Sequence, residues 1–181
     1  MIRTGMRILL AALAGLSLVA TPGLASAGAP KVLDAADLAA NGVQPNAVYQ
    51  VRNRNSGKCL EIYGWSTADQ GDAVQWTCHG GNNQLWDFRP SGDGVTWYIV
   101  NVHSQKCLEI YGWSTADHGD AVQWGCHGGN NQRWYWNANG TNAWFTNKHS
   151  GKVLEIYGWS TADRGDAVQW TWHGGANQLW Y

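Results

Sequence analysis

From residue 47 onward, short runs rich in β-branched and aromatic residues alternate with turn-forming clusters. Residues 49–54, 59–63, 73–78 and 84–88 are the first four such runs, divided by Ser-Gly, Ala-Asp-x-Gly-Asp and Gly-Gly-Asn turns. Within Leu60-Glu61-Ile62 the polar position falls between two apolar ones. An extended strand turns that apolar pair to one side and Glu61 to the other, keeping the charge out of the core.

The same pattern returns twice. Residues 59–86, 107–134 and 153–180 are three 28-residue copies, the second differing from the first at three positions and the third from the first at four. Each copy together with the run ahead of it predicts four strands, giving twelve in an all-β domain. A β-propeller also uses four strands per repeat, but its ring needs at least about four blades to close. Three repeats instead predict a barrel with threefold pseudo-symmetry, the units spanning about 47–92, 93–140 and 141–181.

The segment ahead of the repeats reads as an address. Arg3 and Arg7 flank the start, an apolar run of 13 residues covers 8–20, and Ala25-Ser26-Ala27 supplies the small-x-small pattern of a leader cleavage site. Thirteen residues fall short of the ~20 needed to span a bilayer. The expectation is a signal peptide at 1–27, a linker at 28–46 with a helical turn or two at 34–41, and a secreted protein without a membrane span.

Composition narrows the function. Of 181 residues, 23 are Gly and 13 are Trp, while only 14% are charged. Twelve basic residues stand against 13 acidic ones, and without Arg3 and Arg7 the basic count falls to 10. A mildly acidic chain with scattered basic groups is a poor match to phosphate backbones, so no nucleic-acid partner is expected.

Export predicts oxidised cysteines. Cys59 and Cys78 are 19 apart, as are Cys107 and Cys126, and the third repeat replaces both members together with Val153 and Trp172. That joint loss favours disulfides within repeats, Cys59 to Cys78 and Cys107 to Cys126, among the three pairings four cysteines allow. A zinc site fits poorly, because no C-x-x-C occurs.

Each repeat ends in Q-x-W, at 84–86, 132–134 and 178–180, with C-L-E or V-L-E near its start and G-G-x-N before the glutamine. This threefold signature resembles the ricin B-type lectin domains, and its near-identical copies are similar to small secreted actinomycete lectins. The resemblance implies a β-trefoil with up to three carbohydrate sites. It also assigns roles: Glu61, Glu109 and Glu155 accept from vicinal hydroxyls, Trp76, Trp124 and Trp170 stack on the sugar face, and Asn83, Asn131 and Asn177 bond the hydroxyls again. Gln84, Gln132 and Gln178 orient the carboxylate and Asn and tie down the turn.

Two departures from that pattern weigh against galactose. Glu replaces the usual Asp at 61, 109 and 155, and Val74, Val122 and Val168 stand where an amide is common. Gln75, Gln123 and Gln169 lie one position along, and alternation turns them to the opposite face unless a bulge intervenes.

The remaining aromatics sort by symmetry. Trp86, Trp134 and Trp180 are expected in the core. Tyr63, Trp65, Tyr111, Trp113, Tyr157 and Trp159 form either a second wall of each site or a lid on the barrel. Trp97, Trp136, Trp144 and Trp172 lack threefold counterparts and are assigned to packing.

Other chemistries fit less well. Asp69 and Asp72 supply too few oxygens for calcium, and His79, His127 and His173 meet on a metal only if they lie at the symmetry axis, so no metal or other cofactor is expected. A glycosidase needs an acid and a base or nucleophile across a cleft. A Glu61, Asp69 and Asp72 cluster is nominally capable, but threefold repetition of a shallow loop argues against it.

The expectation is a non-catalytic, monomeric carbohydrate-binding protein. Single shallow sites of roughly millimolar strength (about 4 kcal/mol) gain by avidity on a polysaccharide or glycosylated surface. The third site, with Ala176 in place of Asn82 and no disulfide, is the one expected to be altered. The alternative is a trefoil that binds protein, as an inhibitor or as a subunit of a secreted enzyme or toxin complex.

Overall fold

The computed structural model describes residues 47–181 together with the backbone of Lys31 and Val32. The leader at 1–27 and the helical turn expected at 34–41 lie outside the described residues.

Twelve strands follow in chain order. They are β1 Lys31–Val32, β2 Val48–Gln50, β3 Cys59–Ile62, β4 Gly71–Trp76, β5 Leu85–Pro90, β6 Thr96–Asn101, β7 Cys107–Ile110, β8 Gly119–Trp124, β9 Trp134–Asn139, β10 Asn142–Asn147, β11 Val153–Ile156 and β12 Gly165–Trp170. β1 is an accessory that pairs parallel to β2. The other eleven form a β-trefoil, with its twelfth strand position reduced to bridges from Trp180 to Asn53 and Ala143.

Two strand sets carry the symmetry. β2, β5, β6, β9 and β10 pair in sequence, and Trp180 joins β10 back to the segment after β2, closing the barrel. The hairpins β3–β4, β7–β8 and β11–β12 form the cap. There β4, β8 and β12 each pair with the other two, a closed triangle about the pseudo-threefold axis.

Some boundaries differ from those expected. Tyr63 leaves the strand and opens a 3-10 turn, Tyr63–Trp65, in which Gly64 (φ 62°) and Trp65 (φ 57°) both take left-handed backbone. Two consecutive left-handed residues cannot continue a strand, so the chain bends there. Gln84 closes another 3-10 turn, Asn82–Gln84, and Cys78 lies beyond β4.

The barrel interior is filled by the Leu and Ile of each C/V-L-E-I segment with Trp86, Trp134, Trp180, Phe88 and Phe145. The three tryptophans are the expected core residues. Burying an indole requires a partner for its N–H, and Nε1 of Trp86, Trp134 and Trp180 donates to the carbonyls of Leu60, Leu108 and Leu154 at 2.9, 3.0 and 3.2 Å.

Trp97 and Trp136 pack against this core as expected. Trp172 packs at the surface instead, 43% exposed and stacked on Trp144 with ring centroids 4.9 Å apart; Cys126, its counterpart in the second repeat, is exposed as well.

Both disulfides join the expected partners, Cys59 to Cys78 and Cys107 to Cys126. Each closes a loop of 19-residue separation, worth roughly 3 kcal/mol in the chain-entropy model.

Gln75, Gln123 and Gln169 hold the repeats together. The hairpin register is regular, with Leu60 opposite Gln75 and Glu61 opposite Val74, so no bulge redirects the glutamine. Gln75 Nε2 donates to the carbonyls of Ser160 and Ala162, Gln123 Nε2 to those of Ser66 and Ala68, and Gln169 Nε2 to those of Ser114 and Ala116. Each cap strand thereby grips the loop of a neighbouring repeat.

Candidate functional site

Strand parity assembles the site. Residues directly opposite in an antiparallel pair share a face, so Cys59 with Trp76 and Glu61 with Val74 face away from Leu60 and Ile62. Glu61 and Trp76 therefore emerge on the same side of the β3–β4 hairpin, and Glu109 with Trp124 and Glu155 with Trp170 repeat the arrangement. The three tryptophans are half-buried.

The carboxylates lie outside the apolar core but are not solvated strand residues. Glu61, Glu109 and Glu155 are only 4%, 4% and 3% exposed. Burying an ionised carboxylate is costly unless hydrogen bonds satisfy it. Gln84 Nε2 donates to Glu61 Oε2 at 2.7 Å, and Gln132 and Gln178 repeat the bond at 2.8 Å.

The other atoms of each Gln explain its immobility. Gln84 Nε2 also donates to the Thr77 carbonyl, while its Oε1 accepts the backbone N–H of His79 and Gly80. The glutamine holds the carboxylate and ties the turn, but it makes no bond to the Asn side chain that it was also expected to orient.

His79, His127 and His173 complete the frame, a role the sequence did not reveal. Their Nε2 atoms lie 3.2, 3.1 and 3.2 Å from Oε2 of Glu61, Glu109 and Glu155. Gly81, Gly129 and Gly175 donate their N–H to the corresponding Nδ1 atoms. A ring that accepts at Nδ1 carries its proton on Nε2, so the imidazole donates to the carboxylate. Each histidine serves its own repeat's carboxylate, and the three do not converge on one metal.

Two acceptors per site lack a partner, one on the carboxylate and one on a buried amide. Oε1 of each Glu accepts no hydrogen bond among the described residues. Asn83, Asn131 and Asn177 are buried, with Nδ2 donating to the carbonyls of Ile62, Ile110 and Ile156. Half of each amide is thus committed to the backbone, while Oδ1 in all three is buried without a partner. A buried unsatisfied acceptor costs about 1–3 kcal/mol, and here the cost is incurred three times at equivalent positions.

Aromatic rings wall the site. Tyr63 lies beside Trp76 with centroids 5.9 Å apart, and Trp65 stacks on His79 at 6.0 Å with its exposed indole 25° from the imidazole plane. Tyr111, Trp113, Tyr157 and Trp159 repeat both contacts. Gly81 permits this closure, since a Cβ there would come within 2.6 Å of the Trp65 ring. These residues thus pack against the indole and imidazole of their own repeat.

The second flank of the Trp65 indole comes from another repeat. His103 meets Trp65 edge-on and bonds its carbonyl, and His149 does the same to Trp113. At Trp159 the position is Asn55, which donates to the carbonyl. Otherwise the third site keeps the polar frame of the first two within 0.1 Å, despite Ala176 and the missing disulfide.

Burial pushes the Glu155 carboxyl above its ordinary value, opposed by the hydrogen bonds from Gln178 and His173. Asp69, Asp117 and Asp163 are held below theirs, chiefly by Lys106, Lys152 and Lys58 of neighbouring repeats. Those aspartates are inter-repeat ties.

Comparison with known proteins agrees with this geometry. The ricin-type beta-trefoil lectin domain matches residues 47–180. The designed threefold symmetric protein ThreeFoil is 35% identical with a TM-score of 0.71, covering 74% of this chain and 95% of that one. An exo-beta-1,3-galactanase from Clostridium thermocellum, 1,3Gal43A, is 34% identical with a TM-score of 0.72 over 76% of this chain, which spans 30% of the enzyme. The ricin B-like lectin of Macrolepiota procera, solved with lactose, has the same fold at 21% identity and a TM-score of 0.64, covering 76% of this chain and 95% of that one. No curated protein matches. The chain belongs to the ricin-type β-trefoil lectin domain family.

Proposed function

We propose that the protein is a secreted, non-catalytic carbohydrate-binding lectin whose three repeats each hold one sugar site. The observation that carries this reading is the threefold-repeated pairing of a buried, oriented carboxylate with a half-buried indole on the same strand face. A sugar presents an apolar C–H face and a rim of hydroxyls. Trp76, Trp124 and Trp170 match the face. Glu61, Glu109 and Glu155 offer Oε1 to hydroxyl donors, while Asn83, Asn131 and Asn177 tie the turn to the carboxylate strand through their bonds to Ile62, Ile110 and Ile156. Tyr63 and Trp65, with their copies, form the second wall.

Because Gln and His already fix each carboxylate, binding orders few protein groups, and little of the interaction is lost to entropy. Three weak sites on one rigid body gain by avidity on a repeating glycan. The leader-like segment at 1–27 and the paired cysteines support an extracellular setting.

A glycan array with free-sugar competition tests the reading. Retention on a defined glycan should disappear when Trp76, Trp124 and Trp170 are together changed to Ala, with the circular dichroism spectrum unchanged. Retention that survives this triple change would remove the stacking role. One-to-one capture of a protein, indifferent to sugar, would favour a protein-binding trefoil.

A further inference from the structure

The three repeats are near-copies, and across their 28 positions only one differs in all three: Gln70, His118 and Arg164. At every other position at least two repeats agree. That position is also strained. All three residues have left-handed backbone, with φ of 64°, 66° and 66°, a region few non-glycine residues adopt. Each is held there by a bond to the next repeat, since the N–H of Gln70, His118 and Arg164 donates to the carbonyl of Gln123, Gln169 and Gln75. The variable side chain is therefore delivered across a repeat boundary.

What it reaches is the tyrosine wall of a neighbour's site. The Arg164 guanidinium lies over the Tyr63 ring, 4.5 Å from its centroid. The His118 imidazole meets Tyr157 edge-on at 4.2 Å. By the same cyclic order Gln70 belongs to the site of Tyr111. Three sites with a common carboxylate, indole and amide thus differ in the group at one margin: a fixed cation at the first, a neutral amide at the second and an imidazole at the third.

We propose that Arg164 makes the first repeat's site selective for glycans that carry a carboxylate, such as uronates, while the other two sites favour neutral sugars. This rests on the carbohydrate reading above. Arg164 is exposed and makes no ion pair among the described residues, whereas the adjacent Asp163 is engaged by Lys58. Tyr63 bridges the gap between Trp76 and Arg164, at 5.9 and 4.5 Å respectively. Those separations bring the guanidinium within a disaccharide's length of the stacking indole. A planar guanidinium binds a carboxylate through two parallel hydrogen bonds, and its contact with the tyrosine face orients it beforehand. The Glu61 carboxylate is the opposing charge in this site, and its Oε2 is engaged by Gln84 and His79.

The test resolves the sites individually. The indole N–H signals of Trp76, Trp124 and Trp170, assigned by single Trp→Phe changes, are followed while the protein is titrated with disaccharides of galactose, glucose and mannose and with their C6-oxidised uronate counterparts. For the stereochemistry that binds, the uronate should be preferred about fivefold at Trp76, as expected for one exposed charge-assisted contact, and not at Trp124 or Trp170. Raising the ionic strength should reduce that preference. Arg164→Gln should abolish it, and Gln70→Arg should create it at Trp124, a gain that loss of folding cannot imitate. Equal ratios at all three indoles, or a preference that survives Arg164→Gln, would overturn the inference while leaving the sugar sites standing. If no probe moves any of the three signals, the carbohydrate reading falls and this inference falls with it.

Discussion

Replacing Gln178 by Met keeps the side chain's volume and removes four hydrogen bonds. Its Nε2 donates to Glu155 Oε2 at 2.8 Å and to the Thr171 carbonyl at 3.0 Å, while Oε1 accepts the N–H of His173 at 2.9 Å and of Gly174 at 3.1 Å. Gln178 is fully buried, so water cannot substitute without rearrangement. The charge-assisted bond is worth about 1.5–3 kcal/mol, and each stranded backbone group about 1 kcal/mol or more. Allowing for coupling among neighbours, the variant should lose about 4 kcal/mol, a large share of a typical domain's stability.

The pH dependence gives that figure a signature. Burial raises the Glu155 pKa above its ordinary 4.5, and the Gln178 bond restrains the rise. A carboxyl with a raised folded-state pKa contributes stability that is fully present below its unfolded value and is lost as pH rises through the folded one. Without Gln178 the folded value climbs further, so the loss should be largest at neutral pH and should shrink as pH falls through the two folded-state values, both above 4.5. Urea unfolding followed by tryptophan fluorescence at several pH values measures both effects. A loss under about 1 kcal/mol, or one independent of pH, would refute the view that Gln178 stabilises an ionised, desolvated Glu155.

Further predictions concern the asymmetric third repeat and the inter-repeat ties. Changing Val153 and Trp172 together to Cys restores the pattern of the other repeats, where the paired Cα atoms are 5.1 and 5.2 Å apart, and should raise stability by up to about 3 kcal/mol once oxidised. Thiol titration confirms closure, and unchanged denaturant midpoints in the oxidised protein would contradict it. Asp163 accepts from Lys58 and the Thr77 N–H, which hold its pKa below 3.8. Its contribution is present above that value and lost as pH falls through the lowered one. Asp163→Asn should therefore flatten the acid limb of the stability profile, and an unaltered limb would count against the tie.

The repeat made the architecture legible. Three copies of C/V-L-E-I, G-D-A-V-Q-W and Q-x-W fixed the hairpins, the pseudo-symmetry and the core tryptophans, because strand alternation depends only on neighbouring residues. Joint replacement of two cysteines revealed the disulfide pairing. Cross-repeat contacts were less visible. Gln75 bonding Ser160 and Ala162, or Arg164 lying over Tyr63, joins residues far apart in sequence and can be read only once the cap triangle is closed. The histidine on each carboxylate had the same threefold recurrence as the glutamate itself, but recurrence alone does not distinguish a ligand, a turn residue and a charge partner. Trp172 was legible as a packing residue, but its stack on Trp144 joins two positions 28 apart and shows only in the fold.

Three equivalent carboxylate-and-indole pairs imply three sugars bound per chain. Isothermal titration with the sugar identified on the array should give three bound per chain, falling by one with each successive change of Trp76, Trp124 and Trp170 to Ala. A stoichiometry that ignores these changes, or a single change that abolishes all binding, would contradict three separate indole-and-carboxylate sites.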